Sequence, residues 1–299
     1  MTATQTEMIH AAAHGFDQLP LIDALGILPQ AQVEAAEAVQ SAIPQIALAA
    51  KLAAETISNG GRLIYAAAGS SGLMALADAL ELPGTYGLAR DRVIVLLAGG
   101  VAALTDMAGA PEDDTDGIRF ELAALGVGPK DCVIALTASG ATPYPLAAVQ
   151  AARAAGAHTI GLANNHGAPL FDLVDVAICL PTPPEVIAGS TRMGAGTAQK
   201  IALNMLSTMM AVQLGHVHDG HMVNLVADNI KLRGRAQRMV CAITGASPEL
   251  ASTSLEQAGG KVKLAVLLAA GAGSLTDAEG LLAEHNGVLR PALDALAAR

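Results

Sequence analysis

The amino-acid sequence predicts an α/β fold: a doubly wound, five-stranded parallel sheet followed by a small C-terminal helical bundle. Apolar residues make up 52% of the 299 residues, which is enough for a sizeable core. Aromatic residues make up only 2%, so closely packed Ala, Leu and Val side chains must fill that core. Short apolar runs alternate with segments of helical periodicity, which is typical of a parallel sheet covered by helices on both faces.

Five apolar runs are the candidate strands of this sheet. Each is short and is bounded by glycine, proline or polar residues, which favours a strand over a buried helix. Helical segments separate several of them, so a parallel arrangement is the natural solution. The runs are Arg62–Ala68, Val93–Leu97, Cys132–Leu136, Thr159–Leu162 and Val176–Leu180.

Helical periodicity marks the segments before and between these runs. An amphipathic helix is predicted from about residue 31 to about residue 58, where Gly60-Gly61 ends it, and Pro44 should kink or split it. Further helices are predicted after the first strand, at about 143–155 and at about 194–214. The last is so apolar that we expect it to be buried or to form a subunit interface.

The C-terminal part is predicted to be helical from about residue 224 onwards. Ser247-Pro248-Glu249 is a helix-opening sequence, and the glycine pairs Gly259-Gly260 and Gly271 with Gly273 separate later helices. We therefore expect three parts: an N-terminal helical segment (1–58), a sheet domain (59–223) and a C-terminal helical region (224–299).

Composition excludes several classes of partner. The net charge is -10 and the 17 Lys and Arg residues are scattered, which is wrong for a nucleic-acid-binding surface. No signal peptide or membrane-spanning run is recognisable. Cys132, Cys179 and Cys241 lack CxxC spacing and are expected to be reduced thiols. We expect a cytoplasmic protein with neither nucleic acid nor membrane as partner.

Three loops rich in small and hydroxyl-bearing residues are the candidate binding site. Ligands of doubly wound sheets lie beyond the carboxyl ends of the strands, where helix N-termini point into the crevice. Small residues let the backbone approach an anion, and hydroxyl groups donate to its oxygens. The loops predict a phosphate cradle formed by Ser70 and Ser71, by Ser139, Gly140 and Thr142, and by Ser190 and Thr191.

Each loop alone fits an ordinary turn or helix cap equally well, and it is their joint placement that indicates a site. The Lys-Ser/Thr ending of a Walker loop is absent, and the first loop lacks the glycine spacing of a dinucleotide-binding fold. Arg192 and Lys200 flank the third loop and fit either a phosphate contact or a solvated position.

Several segments match, in order, the pattern of one family. They are GRLIYAAAGSSG, ALELPGTYG, VLLAGG, GAPEDD, ALTASGATPY, EVIAGSTRMGAGTAQK and LNMLSTMMAVQLG, and a looser likeness continues to about residue 290. Through them the chain resembles the N-acetylmuramic acid 6-phosphate etherases, which are sugar isomerase (SIS) domain proteins related to the glucokinase regulatory protein.

The resemblance implies a function and a site. It implies cleavage of the D-lactyl ether of a phosphorylated amino sugar, N-acetylmuramic acid 6-phosphate, to N-acetylglucosamine 6-phosphate and D-lactate, without metal or cofactor. It further implies that Glu81 and Glu112 are catalytic, with Glu81 as the acid and Glu112 as the base. A homodimer with sites near the subunit interface is also implied.

Alternatives remain open at the level of the sequence. The chain departs from the family pattern at Leu73, Gly194 and Ile230, which leaves the exact sugar open. A non-catalytic sugar-phosphate-binding regulator and an aldose-ketose isomerase of the same domain type are the competing functions. His216, His218 and His221 fit either a zinc site or, as we prefer, a helix-end turn with surface or interface histidines.

Overall fold

Two compact units make up the chain. In this computed structural model, residues 5–225 and 230–298 are described. One unit comprises Met1–Leu80 with Arg90–Met209, and the other comprises Glu81–Ala89 with Met210–Arg299. The three-part division expected from the sequence stays a prediction. No helix in the described ranges has the length and hydropathy needed to cross a bilayer.

The first unit contains the predicted five-stranded sheet, and all five strands lie at the predicted places. The order is β2-β1-β3-β4-β5, and every pairing is parallel. The three central strands are almost wholly buried because helices cover the sheet, whereas the two edge strands are mostly half-buried. Their bounds are Leu63–Ala67 (β1), Val93–Leu97 (β2), Cys132–Thr137 (β3), His158–Ala163 (β4) and Val176–Cys179 (β5).

The chain reverses its direction of winding between β1 and β3. It passes from β1 to β2 on one side and then returns to add β3 on the other. The register pairs Ala67 with Leu136, so both strands end at the same level. Such a switch point opens a crevice between the loops that leave the two strands.

Helices flank the sheet and continue to the C-terminus. Those predicted at about 143–155 and 194–214 are confirmed within a residue or two. In chain order the helices are Leu21–Ala38 (α1), Ile43–Ser58 (α2), Gly69–Ala79 (α3), Leu82–Tyr86 (α4), Thr115–Ala124 (α5), Pro143–Ala154 (α6), Gly194–Gln213 (α7), Ile230–Thr244 (α8), Pro248–Gln257 (α9), Val262–Ala269 (α10), Leu275–Glu284 (α11) and Leu289–Ala297 (α12).

The predicted helix over 31–58 is two helices. A 3-10 turn at Val39–Ala42 separates α1 from α2, and Pro44 lies in the first turn of α2. Proline has no N–H and clashes with the carbonyl four residues earlier, so it starts a helix more readily than it continues one. The split at Pro44 was predicted, but the start of α1 at Leu21 was not.

The described part of the second unit contains α4, the end of α7, the helices α8 to α12 and a short hairpin. Strands Val217–His218 (β6) and His221–Met222 (β7) pair antiparallel across Asp219-Gly220. The Ser247 side chain accepts from the Leu250 N–H at the start of α9, as predicted. A break that was not predicted separates α11 from α12 at Asn286-Gly287, where both residues have positive φ. Residues 226–229, directly before Ile230, lie outside the described residues.

Two buried carboxylates hold elements of the first unit together. Asp78 on α3 accepts from the Tyr65 hydroxyl at 2.9 Å and from the Ser207 hydroxyl of α7 at 2.9 Å. Burial raises the pKa of Asp78. Asp131, just before β3, accepts from the Arg62 guanidinium at 2.7 Å and from the Arg62 N–H at 3.0 Å, so it fixes the starts of β1 and β3.

We expect Asp131→Asn to lower the free energy of unfolding by about 2 kcal/mol at pH 7, because the Arg62 guanidinium loses a charged acceptor. Burial alone would raise the pKa of Asp131, but the hydrogen bonds from Arg62 and Gly128 outweigh burial and lower that pKa. The stabilisation is therefore complete above the unfolded value of about 3.9 and is lost as the pH falls through the lower folded pKa. Urea unfolding at several pH values should show the difference from wild type shrinking below about pH 4. The exposed Asp91→Asn is the matched control; a difference that does not change with pH would contradict the assignment.

Candidate functional site

A pocket of about 200 Å³ lies at the carboxyl ends of β1 and β3. Parts of all three predicted loops line it together with Glu112 and the N-terminal segment. Ser70, Ser71, Ser139, Thr142 and Thr191 are thus brought together from loops far apart in sequence. The lining residues are Thr6, Glu7, Ala68, Gly69, Ser70, Ser71, Glu112, Leu136, Thr137, Ala138, Ser139, Thr142, Gly189 and Thr191.

The first loop is the opening turn of α3. Its N-cap, Ala68, has no side chain able to accept from the backbone N–H groups of that turn, which therefore keep their capacity for a ligand. Gly69 has a φ of 54° and lies against Glu112, so a side chain at position 69 would be both strained and obstructed. Ser70 is half-buried and Ser71 is buried. An uncapped helix start offers its backbone N–H groups to an anion.

The second loop contains a cluster of hydroxyl groups. Thr137 at the end of β3 lies 2.7 Å from Thr142 and 3.3 Å from Ser139, measured between side-chain oxygens. The Gly140 N–H donates to the Thr137 hydroxyl at 3.2 Å. Gly140 itself has a φ of 80° and is buried against Ala168, so it shapes the turn rather than lining the pocket. Thr137 is a lining residue that was not among our candidates.

The third loop is held by a buried glutamate. Glu185 accepts from the N–H groups of Gly194 and Ala195, both at 2.9 Å, and so caps the start of α7. Thr191 and Gly189 line the pocket, whereas Ser190 does not. Gly194 is one of the positions at which the chain departs from the family pattern. A Cβ added there would lie 3.1 Å from a Glu185 oxygen. A larger residue there would require Glu185 to move.

Glu112 lies in a 3-10 turn between β2 and α5 and points to the start of α3. One of its carboxylate oxygens would lie 2.8 Å from a Cβ built on Gly69. Burial, and then the negative charge of Asp113, raises the pKa of Glu112. A carboxylate with a raised pKa is a stronger base than an exposed one, which suits proton abstraction near neutral pH.

The second predicted catalytic residue, Glu81, belongs to the other unit. It is exposed and lies directly before α4. The pairing of Glu81 with Glu112 therefore stays a prediction.

No cationic side chain is among the described residues that line the pocket. Lys200 donates instead to Asn204 on its own helix at 2.6 Å, and Arg192 is exposed. Within the described part of the chain, no group of three His, Cys, Asp or Glu residues is positioned to hold a metal ion. An anion in this pocket would thus be held by hydroxyl and backbone N–H groups.

The histidine segment is a hairpin rather than a simple helix-end turn. Asp219 and Gly220 both have positive φ, the conformation that favours a tight two-residue hairpin. His218 is buried, so it is not a surface histidine; the other alternative, an interface position, stays a prediction. Burial, and then the positive charge of Lys263, lowers the pKa of His216 to about 4. His216 is therefore neutral at pH 7.

Comparison with known proteins gives consistent matches. The SIS domain family model matches residues 30–164. The chain is 43% identical over 278 residues to an N-acetylmuramic acid 6-phosphate etherase of Deinococcus radiodurans, covering 93% of this chain and 91% of the relative. It is 41% identical over 289 residues to the enzyme of the same name from Cutibacterium acnes, covering 97% and 95%.

A solved structure shares the fold. A phosphoheptose isomerase from Francisella tularensis superposes with a TM-score of 0.50 at 21% identity, covering 64% of this chain and 98% of that protein. At this identity the similarity supports the SIS fold alone.

Removing the Glu185 cap should destabilise the protein. We expect Glu185→Ala to lower the free energy of unfolding by about 2 kcal/mol, because two buried N–H groups at the start of α7 lose their acceptor. Glu185→Gln keeps one acceptor oxygen and should lose less. Urea denaturation measures both, with Glu37→Ala on the exposed side of α1 as the control. Equal stability of wild type and Glu185→Ala would show that the cap contributes nothing.

Proposed function

This chain belongs to the N-acetylmuramic acid 6-phosphate etherase family, and from that premise we propose that its hydroxyl-lined pocket binds the phosphorylated sugar and that Glu112 is the base of the reaction. The chain is accordingly a carbon-oxygen lyase that releases D-lactate and leaves N-acetylglucosamine 6-phosphate. The observation that carries the proposal is the position of Glu112 against the first turn of α3, in a pocket that Ser70 and Ser71 also line.

The chemistry requires one base and one acid. Removal of the proton at C2, the carbon beside the aldehyde of the open-chain sugar, places negative charge there, and the C3–O bond then breaks. The leaving oxygen takes a proton and departs as lactate, after which water adds to the resulting double bond. Glu112 takes the first proton, and by family resemblance Glu81 supplies the second. Two carboxyl groups in different environments can divide these roles.

The pocket suits the phosphate end of such a substrate. The start of α3 offers backbone N–H groups, and Ser139 and Thr142 line the same pocket. Its volume of about 200 Å³ is below the roughly 300 Å³ at which ligand pockets usually begin, so the remainder of the sugar must extend beyond it.

We further propose the homodimer and the cytoplasmic location that the sequence led us to expect. Leu21, Ile22 and Leu25 on α1 are exposed apolar residues of the first unit, which supports a covering partner. Light scattering of purified protein tests the dimer, and cell fractionation tests the location.

Lactate release tests the main proposal. Wild-type protein incubated with N-acetylmuramic acid 6-phosphate should release D-lactate, and Glu112→Gln should lower kcat by about 10² to 10⁴, the usual contribution of a general base. Glu81→Gln should be similarly impaired, whereas Glu37→Gln should match wild type. Tight binding without lactate release would favour the regulator, and a ketose product would favour the isomerase.

The pH profile tests the environment of Glu112. The base acts only when ionised, and its pKa is raised, so the acid limb of kcat/KM should lie above the ordinary glutamate value of about 4.3. Asp113→Asn removes a neighbouring negative charge, and the limb should move to lower pH. An unchanged or raised limb in Asp113→Asn would contradict the assignment of that limb to Glu112.

A further inference from the structure

We propose that the N-terminal segment Gln5–Glu7 is a wall of the substrate pocket and that Glu7 is a specificity-determining residue that accepts hydrogen bonds from the sugar. This inference rests on the proposed function of the pocket. No recognisable pattern in the sequence marks the segment, because the residues it contacts lie more than a hundred positions away.

Thr6 anchors the segment to the sheet domain. Its N–H donates to the Asn165 side-chain oxygen at 3.1 Å, and the Asn165 side-chain nitrogen donates to the Thr6 hydroxyl at 2.9 Å. Thr6 is 2% exposed, so both hydrogen bonds are shielded from water. Losing one would leave a buried polar group without its partner, which costs more than the bond itself contributes.

Asn165 ties the same segment to the second hydroxyl loop. The side-chain nitrogen of Asn165 also donates to the carbonyl oxygens of Ala138 at 3.1 Å and Ser139 at 3.2 Å. A single buried amide therefore fixes both the N-terminal wall and the loop that contains the Ser139 hydroxyl. The position of Thr6 is thereby coupled to the shape of the phosphate cradle.

Glu7 is the residue that this anchor presents to the pocket. It is exposed and lines the pocket, and one carboxylate oxygen would lie 3.8 Å from a Cβ built on Gly189 of the third loop. A carboxylate accepts hydrogen bonds and repels phosphate. Glu7 therefore faces the neutral part of the substrate, where sugar hydroxyl groups and the acetamido N–H are the available donors.

Steady-state kinetics of lactate release separate this role from a structural one. Glu7→Gln should raise KM roughly ten-fold and leave kcat within about two-fold, because one charged acceptor for the bound sugar is lost. Inorganic phosphate, used as a competitive inhibitor, should bind as well as before or better, since the lost charge repelled it. Glu37→Gln is the matched control and should behave as wild type.

Thr6 variants test the anchor. Thr6→Val keeps the shape but not the hydroxyl, and should raise both the KM for the sugar and the inhibition constant for phosphate by about five-fold or more. Thr6→Ser keeps the hydroxyl and should restore both. Thr253→Val on α9, an exposed position, controls for the substitution type, and thermal melting confirms that each variant folds.

The outcomes are distinguishable. Wild-type protein that releases no lactate overturns the proposed function and this inference with it. Active protein in which folded Glu7→Gln keeps the wild-type KM overturns the role of Glu7 alone. A parallel loss of sugar and phosphate binding in Glu7→Gln also overturns it, because that result would mean that Glu7 supports the pocket instead of recognising the sugar.

Discussion

The parallel pairing of β1 with β3 is the constraint on which the site depends. Because Ala67 and Leu136 lie at the same level, the turns that follow the two strands open into one crevice. The first turn contains the backbone N–H groups of α3, and the second contains the Thr137, Ser139 and Thr142 hydroxyl groups. A shift of one residue in that pairing would separate these two halves of the phosphate cradle.

No cationic side chain is among the described residues that line the proposed phosphate cradle, and this bears on Glu112, the proposed base. A lysine or arginine beside Glu112 would stabilise the carboxylate and weaken it as a base. Hydroxyl groups and backbone N–H groups carry no full positive charge and stabilise the Glu112 carboxylate less than a cation would. Burial and the charge of Asp113 therefore raise the pKa of Glu112. The two proposed roles of this pocket, binding phosphate and holding a strong base, are therefore compatible.

The sheet could be predicted from the sequence because each buried strand is a continuous apolar run between breaking residues. The start of α1 could not, since Gly26 and Pro29 resemble a loop although both lie within that helix. The break at Asn286-Gly287 was missed for the opposite reason, because the surrounding Ala and Leu residues favour one continuous helix.

Most hydroxyl groups of the pocket could be predicted because they follow strands. The position of the N-terminal segment could not be predicted. Thr6 and Asn165 are 159 residues apart in sequence, and a single contact between distant residues produces no periodic pattern.

The glutamate that caps α7 has a consequence for how a ligand enters. Glu185 already occupies the positive end of that long helix with a charge from the protein itself, whereas the first turn of α3 has no side-chain cap. In the proposed function, the phosphate is therefore expected at the uncapped start of α3 and not at the start of α7, where the charge of Glu185 would repel it.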